Sequence, residues 1–401
     1  MPPSFSEGMR QRMGQRRKVM AVFGTRPEAI KMAPVVKELQ AHPEWFETIV
    51  CVTAQHRQML DQVLSAFAIE PNHDLNIMQE RQTLADVHIR ALEGLGQVIA
   101  AERPHMLLVH GDTATTFAGA LAAFYHQVAI AHVEAGLRAY NKYSPWPEEM
   151  NRCLTDVLAD VMLAPTLNNR ENLLREGVAP EKIYVTGQTA VDALLLTLQD
   201  EYRFTVPGLA AFDFTGKRVI AVTAHRRENY GEPFRQMFTA MRELVDAFPD
   251  TFLIYPVHLS PAVREVAQPL LLGHPRIMLI DPVPYPDMVH LLKRSYLVLS
   301  DSGGLQEETP SLAKPLILMR DTTERPEGVA AGTVIVAGTS QQRIYDEAAR
   351  LLADAGVYRA MAQRANPYGD GQAARRCVQA IAHFFNLSAR PDEFKPGAVA
   401  N

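Results

Sequence analysis

Lys18-Val-Met-Ala-Val-Phe-Gly-Thr-Arg-Pro-Glu-Ala-Ile-Lys31 decides the fold. An apolar, β-branched run of strand length reaches Gly24, and a helix-like stretch opened by Pro27 follows without a break. Outward from it the pattern recurs. Strands are predicted at 18–23, 48–52, 106–110, 129–132, 161–164 and 183–185, each followed by a helical stretch, which makes one doubly wound parallel-sheet domain over 18–196. Pro207, Gly208 and Gly216 interrupt the periodicity, so 197–217 reads as a linker. A second series follows at 219–223, 251–255, 277–280, 297–300, 315–318 and 333–336, giving a second Rossmann-like domain over 218–365. A last helix, 372–385, has no strand behind it to pair. Residues 1–17 read as a disordered tail and 387–401 as a second tail.

Composition bounds the function. The 401 residues are 47% hydrophobic and carry 40 Lys and Arg against 45 Asp and Glu. That balance argues against a nucleic-acid binder. Three scattered cysteines, Cys51, Cys153 and Cys377, offer neither a disulfide framework nor a zinc site. No apolar run is long enough for a membrane span, and no secretory signal is visible, so a cytoplasmic protein is expected.

Ligands of open parallel sheets bind beyond the carboxyl ends of the strands. The polar clusters there are therefore the candidates. Arg26 and Lys31 follow the first strand and suit a phosphate, although a solvated Arg in an ordinary turn would look the same. His110-Gly-Asp112 and His132-Val-Glu134 end adjacent strands, and Pro145-Trp-Pro-Glu148-Glu149 opens a helix. Asp112 could instead be a helix cap, and Glu134 a buried acid paired with Arg138 or Arg152. In the second half, His225 follows the first strand, where a structural histidine is the plainer alternative. Ser302-Gly303-Gly304 meets a helix where free amides could seat an anion, Glu308 lies one turn on, and Arg325 sits in a polar loop. Together they describe a nucleotide-sugar site. Neither a dinucleotide fingerprint nor a metal-ligand spacing is present, so no cofactor is expected.

These motifs resemble one family: the bacterial non-hydrolysing UDP-N-acetylglucosamine 2-epimerases. The similar runs are F-G-T-R-P-E-A-I-K-M-A-P from Phe23, T-A-Q-H-R-Q-M-L-D-Q from Thr53, H-V-E-A-G-L-R from His132, S-P-W-P-E-E from Ser144, D-S-G-G-L-Q-E-E from Asp301 and R-D-T-T-E-R-P-E from Arg320. The resemblance implies a glycosyltransferase-B architecture with the active site in the interdomain cleft, a homodimer, and residues 366–386 packed back on the first domain. It also implies interconversion of UDP-GlcNAc and UDP-ManNAc for surface polysaccharides, by elimination of UDP to 2-acetamidoglucal and re-addition. Asp112, Glu134 and Glu148 carry over as the acid and base group, with His225 assisting; which acid serves as base is left open. Arg26, Lys31, Ser302, Gly303, Gly304, Glu308 and Arg325 carry over as UDP ligands, and Gln55, Gln58, Arg81, Glu228 and His258 as a site for a second, activating UDP-GlcNAc.

Val283 and Met288 depart from the Gln and Phe that some relatives place near the uracil, Ala224 replaces a Gly, and Ala114 a Thr. Three rivals remain at this level: a glycosyltransferase of the same fold, a hydrolysing epimerase releasing free ManNAc, and a sensor that binds without turnover.

Overall fold

The computed structural model describes residues 16–54, 57–79 and 81–397; the Gln58 side chain is not among the described ones. Two compact units emerge. Unit 1 comprises Met1–Ala193 and Gly369–Lys395, and unit 2 comprises Leu194–Tyr368 and Pro396–Asn401.

Unit 1 holds seven parallel strands: β1 (Arg17–Phe23), β2 (Phe46–Val52), β3 (His73–Asp74), β4 (Met106–His110), β5 (Ala129–Val133), β6 (Val161–Ala164) and β7 (Ile183–Val185). Their order in the sheet is 3-2-1-4-5-6-7. The chain therefore leaves β1 in one direction and β4 in the other, and the switch point lies between those two strands. Only β3 escapes the sequence pattern, being two residues that pair with Cys51 and Val52.

Unit 2 repeats the plan with β8 (Arg218–Thr223), β9 (Thr251–Pro256), β10 (Ile277–Ile280), β11 (Leu297–Ser300), β12 (Leu316–Leu318) and β13 (Val334–Val336), ordered 10-9-8-11-12-13. Its switch point lies between β8 and β11. Alternate residues of one strand enter opposite layers: Ile220 and Val222 join one core cluster, Val219 and Ala221 the other. A strand points successive side chains to opposite faces, so both faces of this sheet are covered.

The reading of 197–217 as a linker is corrected here. Phe204 and Leu209 are buried in a core cluster of unit 2. The fully buried Asp287 accepts hydrogen bonds from Tyr202 Oη at 2.6 Å, Thr205 N at 3.0 Å, Thr205 Oγ1 at 2.7 Å and Val206 N at 3.0 Å. Low periodicity there reflects backbone pinned by one carboxylate, and that carboxylate is 81 to 85 residues distant.

The last helix, Ala373–Phe384, belongs to unit 1. Asp192 caps it from outside, accepting from Ala373 N at 3.2 Å and Ala374 N at 2.8 Å. For residues 387–395 the tail reading is also corrected. Phe394 is buried and its N–H donates to Val185 O at 2.8 Å, which docks the segment at the end of β7. The amino-terminal tail at 1–17 falls almost wholly outside the described residues, and of it Arg17 already belongs to β1.

Candidate active site

In unit 1 the site starts at the turn after β1. Gly24 is required there by space, since a Cβ would lie 2.0 Å from Thr53 Oγ1 and 2.5 Å from Thr115 Oγ1. The helix that follows, Arg26–Ala41, is entered through Glu28, whose Oε2 accepts from Gly24 N at 3.1 Å and Thr25 N at 2.8 Å. Its other oxygen accepts from Thr113 Oγ1 at 2.6 Å and Thr116 Oγ1 at 3.1 Å. Burial pushes the Glu28 carboxyl above its ordinary value although those hydrogen bonds pull it down. Arg26 is half-buried and Lys31 buried on this helix.

Lys31 Nζ forms a buried ion pair with Glu134. Glu134 is 6% exposed and holds φ +70°, the left-handed region that a side chain of this size rarely adopts. Such strain persists where surrounding contacts over-determine it, commonly at functional sites. Here Gln188 Nε2 donates to the same carboxylate at 2.5 Å, and His110 Nε2 lies 3.8 Å away. Burial drives His110 down to about 3, so its ring is neutral and that approach is not an ion pair. The alternative pairing of Glu134 with Arg138 or Arg152 is not realised. Arg138 is taken by Asp156 at 2.8 Å and Glu176 at 2.6 Å.

Arg152 pairs instead with Asp112, and with Glu149 at 3.3 Å. Asp112 is no helix cap, because Thr113 caps the helix Ala114–Tyr125. Asn151 Nδ2 also donates to Asp112 O at 2.9 Å, so the helix Glu148–Leu158 is tied to the end of β4. Glu148 and Arg152 are four apart and share one face of that helix. This places Glu148 on the face whose next turn meets Asp112. Glu149, by contrast, is structural: it accepts from Ala139 N and Tyr140 N. Gly111, the residue before Asp112, lies close to Glu134, since a Cβ there would fall 3.6 Å from Glu134 Oε1.

In unit 2 the loop after β8 carries His225, and its backbone N–H donates to Asp301 Oδ2 at 2.9 Å. Asp301 follows β11 and is fully buried, so one carboxylate welds the two strand ends of the switch point. Ser302 N is used locally by Ser300 Oγ at 2.9 Å. The amides of Gly303 and Gly304, which begin the helix Gly304–Glu308, have no carbonyl ahead of them in that helix. Arg325 lies against this turn, engaged with Glu307 at 2.5 Å and Glu324 at 2.6 Å. Glu308 is buried at the helix end. Val283 is buried in the unit 2 core with Met288 packed against it, so both serve packing.

Of the five residues for a second nucleotide sugar, Gln55 lies outside the described residues, as does the Gln58 side chain. Arg81 is exposed in unit 1, and Glu228 and His258 are exposed in unit 2. The His258 ring stacks on His225, centroids 5.8 Å apart.

Comparison with known proteins now bears on this geometry. The family described as UDP-N-acetylglucosamine 2-epimerase matches residues 37–382. The chain belongs to that family. It is 53% identical over 378 residues to the UDP-N-acetylglucosamine 2-epimerase of Bacillus subtilis, covering 94% of this chain and 98% of that one. To the Escherichia coli K12 enzyme of the same name it is 51% identical over 370 residues, covering 91% and 98%. The crystal structure of the Neisseria meningitidis UDP-GlcNAc 2-epimerase bound to UDP-GlcNAc superposes with a TM-score of 0.85 at 46% identity, covering 91% of this chain and 100% of that chain.

Several residues of this epimerase-family site escaped sequence reasoning. Glu28 was legible, because Thr25-Arg-Pro-Glu28 has capping-box spacing. Gln188 gives no local signal, and Arg152 reads only as a possible partner of Glu134, since their roles exist only once β7 and the helix Glu148–Leu158 are in place.

Proposed function

We propose that this chain is an isomerase acting at carbon 2 of UDP-GlcNAc, giving UDP-ManNAc by elimination of UDP and re-addition to the opposite face of a 2-acetamidoglucal. Carbon 2 bears no proton made acidic by a carbonyl, so expelling the diphosphate first opens a feasible route. Expulsion needs cations beside the diphosphate and carboxylates beside the ring, to stabilise oxocarbenium character and to move the carbon 2 proton. Asp112, Glu134 and Glu148 are assigned the proton-moving group. Arg26 and His225 are assigned to the diphosphate, and Lys31 balances Glu134. Ser302, the Gly303 and Gly304 amides, Glu308 and Arg325 are assigned the nucleotide seat.

The observation that carries the reading is Glu134: a buried acid held in a strained backbone conformation by Lys31 and Gln188, close to the residue before Asp112, in a chain of this family. A homodimer, activation by a second UDP-GlcNAc through Arg81, Glu228 and His258, and supply of surface polysaccharide synthesis in the cytoplasm complete the proposal. No helix among the described residues is long and apolar enough to cross a membrane.

Incubation with UDP-GlcNAc alone in heavy water, followed by NMR, tests it. Deuterium at carbon 2 with UDP-ManNAc accumulating is the expected result. Free ManNAc would favour a hydrolysing enzyme, and unlabelled substrate would refute epimerisation.

A further inference from the structure

Asp301 divides its carboxylate between two tasks. Oδ2 is saturated, accepting from His225 N at 2.9 Å, Arg226 N at 2.8 Å and Asn229 Nδ2 at 3.2 Å. Oδ1 is buried and has no hydrogen-bond partner among the described residues. A buried carboxylate oxygen without a donor is costly, and such atoms are rare in folded proteins. The polar atom facing it is His225 Nδ1, 3.4 Å away. The His225 side chain is 42% exposed, its ring resting with one edge on a buried acid while the His258 ring stacks against it, centroids 5.8 Å apart. Arg226 holds the same loop from the other side, its Nε donating to Asp301 O at 3.3 Å.

We infer that Asp301 is a positioning residue for His225: Oδ1 keeps a proton on Nδ1, so Nε2 is the nitrogen that gains and loses a proton at the ligand. The physical reason is tautomer choice. A neutral imidazole carries its proton on one nitrogen, and a carboxylate fixed beside Nδ1 selects that one. On the protonated ring, the Nε2–H would donate to a departing diphosphate oxygen. Asp301→Asn would reverse this. Its amide oxygen would stay with the backbone donors of the loop, turning the NH2 group toward Nδ1 and forcing the proton to Nε2. The inference rests on the proposed role of His225 and deepens it.

The test is nitrogen-15 NMR of the full-length protein labelled at histidine, with the His225 signals assigned by their absence in His225→Gln. At a pH above the histidine's titration, the wild type is expected to show a protonated Nδ1 and an unprotonated Nε2. The reverse assignment overturns the inference, and this measurement does not depend on Asp301→Asn folding. Asp301→Asn is expected to switch the tautomer and to lower kcat by at least about 100-fold, with KM for UDP-GlcNAc changed less than about threefold. An unchanged tautomer in Asp301→Asn overturns the contact. A switched tautomer with unchanged kcat overturns its bearing on the reaction, and locates the failure in the assignment of His225.

Discussion

Thr113 Oγ1 donates to Glu28 Oε1 at 2.6 Å, so the turn after β1 and the turn after β4 share one carboxylate. Those two turns flank the switch point of the first sheet. Both Arg26 and Asp112 therefore take their places from a residue outside the proposed reaction. Glu28→Ala would leave four donors without their acceptor, two of them backbone amides at the helix entry. We expect a loss of about 3 kcal/mol in urea unfolding, with turnover falling as well. Glu28→Gln, which keeps one acceptor oxygen, should lose less.

The Lys31–Glu134 pair makes a second prediction. Removing one partner of a buried ion pair leaves the other uncompensated, which costs about 3–5 kcal/mol. Lys31→Met should therefore destabilise the protein strongly, whereas Lys31→Met combined with Glu134→Gln should recover much of the loss. Denaturant unfolding of the single and double variants would give the coupling energy. A value near zero would mean that the pair does not form.

Gly303 and Gly304 are adjacent and should behave differently. A Cβ on Gly303 would lie 2.6 Å from Arg325 Nη1 and 3.0 Å from Glu324 Oε1, whereas one on Gly304 meets nothing within 4 Å. Arg325 cannot swing aside, because Glu307 and Glu324 hold its guanidinium. Gly303→Ala should cost about 2 kcal/mol through overpacking, and Gly304→Ala about 0.5 kcal/mol or less. Calorimetric titration should also show UDP binding to Gly303→Ala weakened about tenfold or more.

How far the sequence reaches depends on the range of the interaction. Strand runs such as 106–110 and 297–300 are legible because a buried parallel strand is apolar throughout. The strand-end positions of Asp112, Glu134 and His225 follow from where those runs stop. The pairings do not. Glu134 meets Lys31 and not Arg138 because β1 lies beside β4 in the sheet, a crossover that no local pattern encodes. The segment 197–217 looks like a linker for the same reason: Asp287, which pins it, sits at a helix start far along the chain. Val283 is buried in the unit 2 core with Met288 packed against it, a role that no local pattern shows.

Acid sensitivity of unit 2 should trace to Glu324. Burial opposes its charge, but Arg325 and Arg320 outweigh that and hold the carboxyl down to about 2 from the ordinary 4.5. Arg320 Nη1 donates to it at 3.0 Å and Arg325 Nη1 at 2.6 Å. A carboxylate whose pKa is lower folded than unfolded contributes stability that is complete above its unfolded value and is lost as the pH falls through the folded one. The window is therefore pH 4.5 down to about 2, and the contribution is of the order of 3 kcal/mol. Glu324→Gln should lower stability at neutral pH and flatten its fall across that window, as read from denaturant midpoints at successive pH values. A slope unchanged by the substitution would show that the arginines around Glu324 do not set its charge.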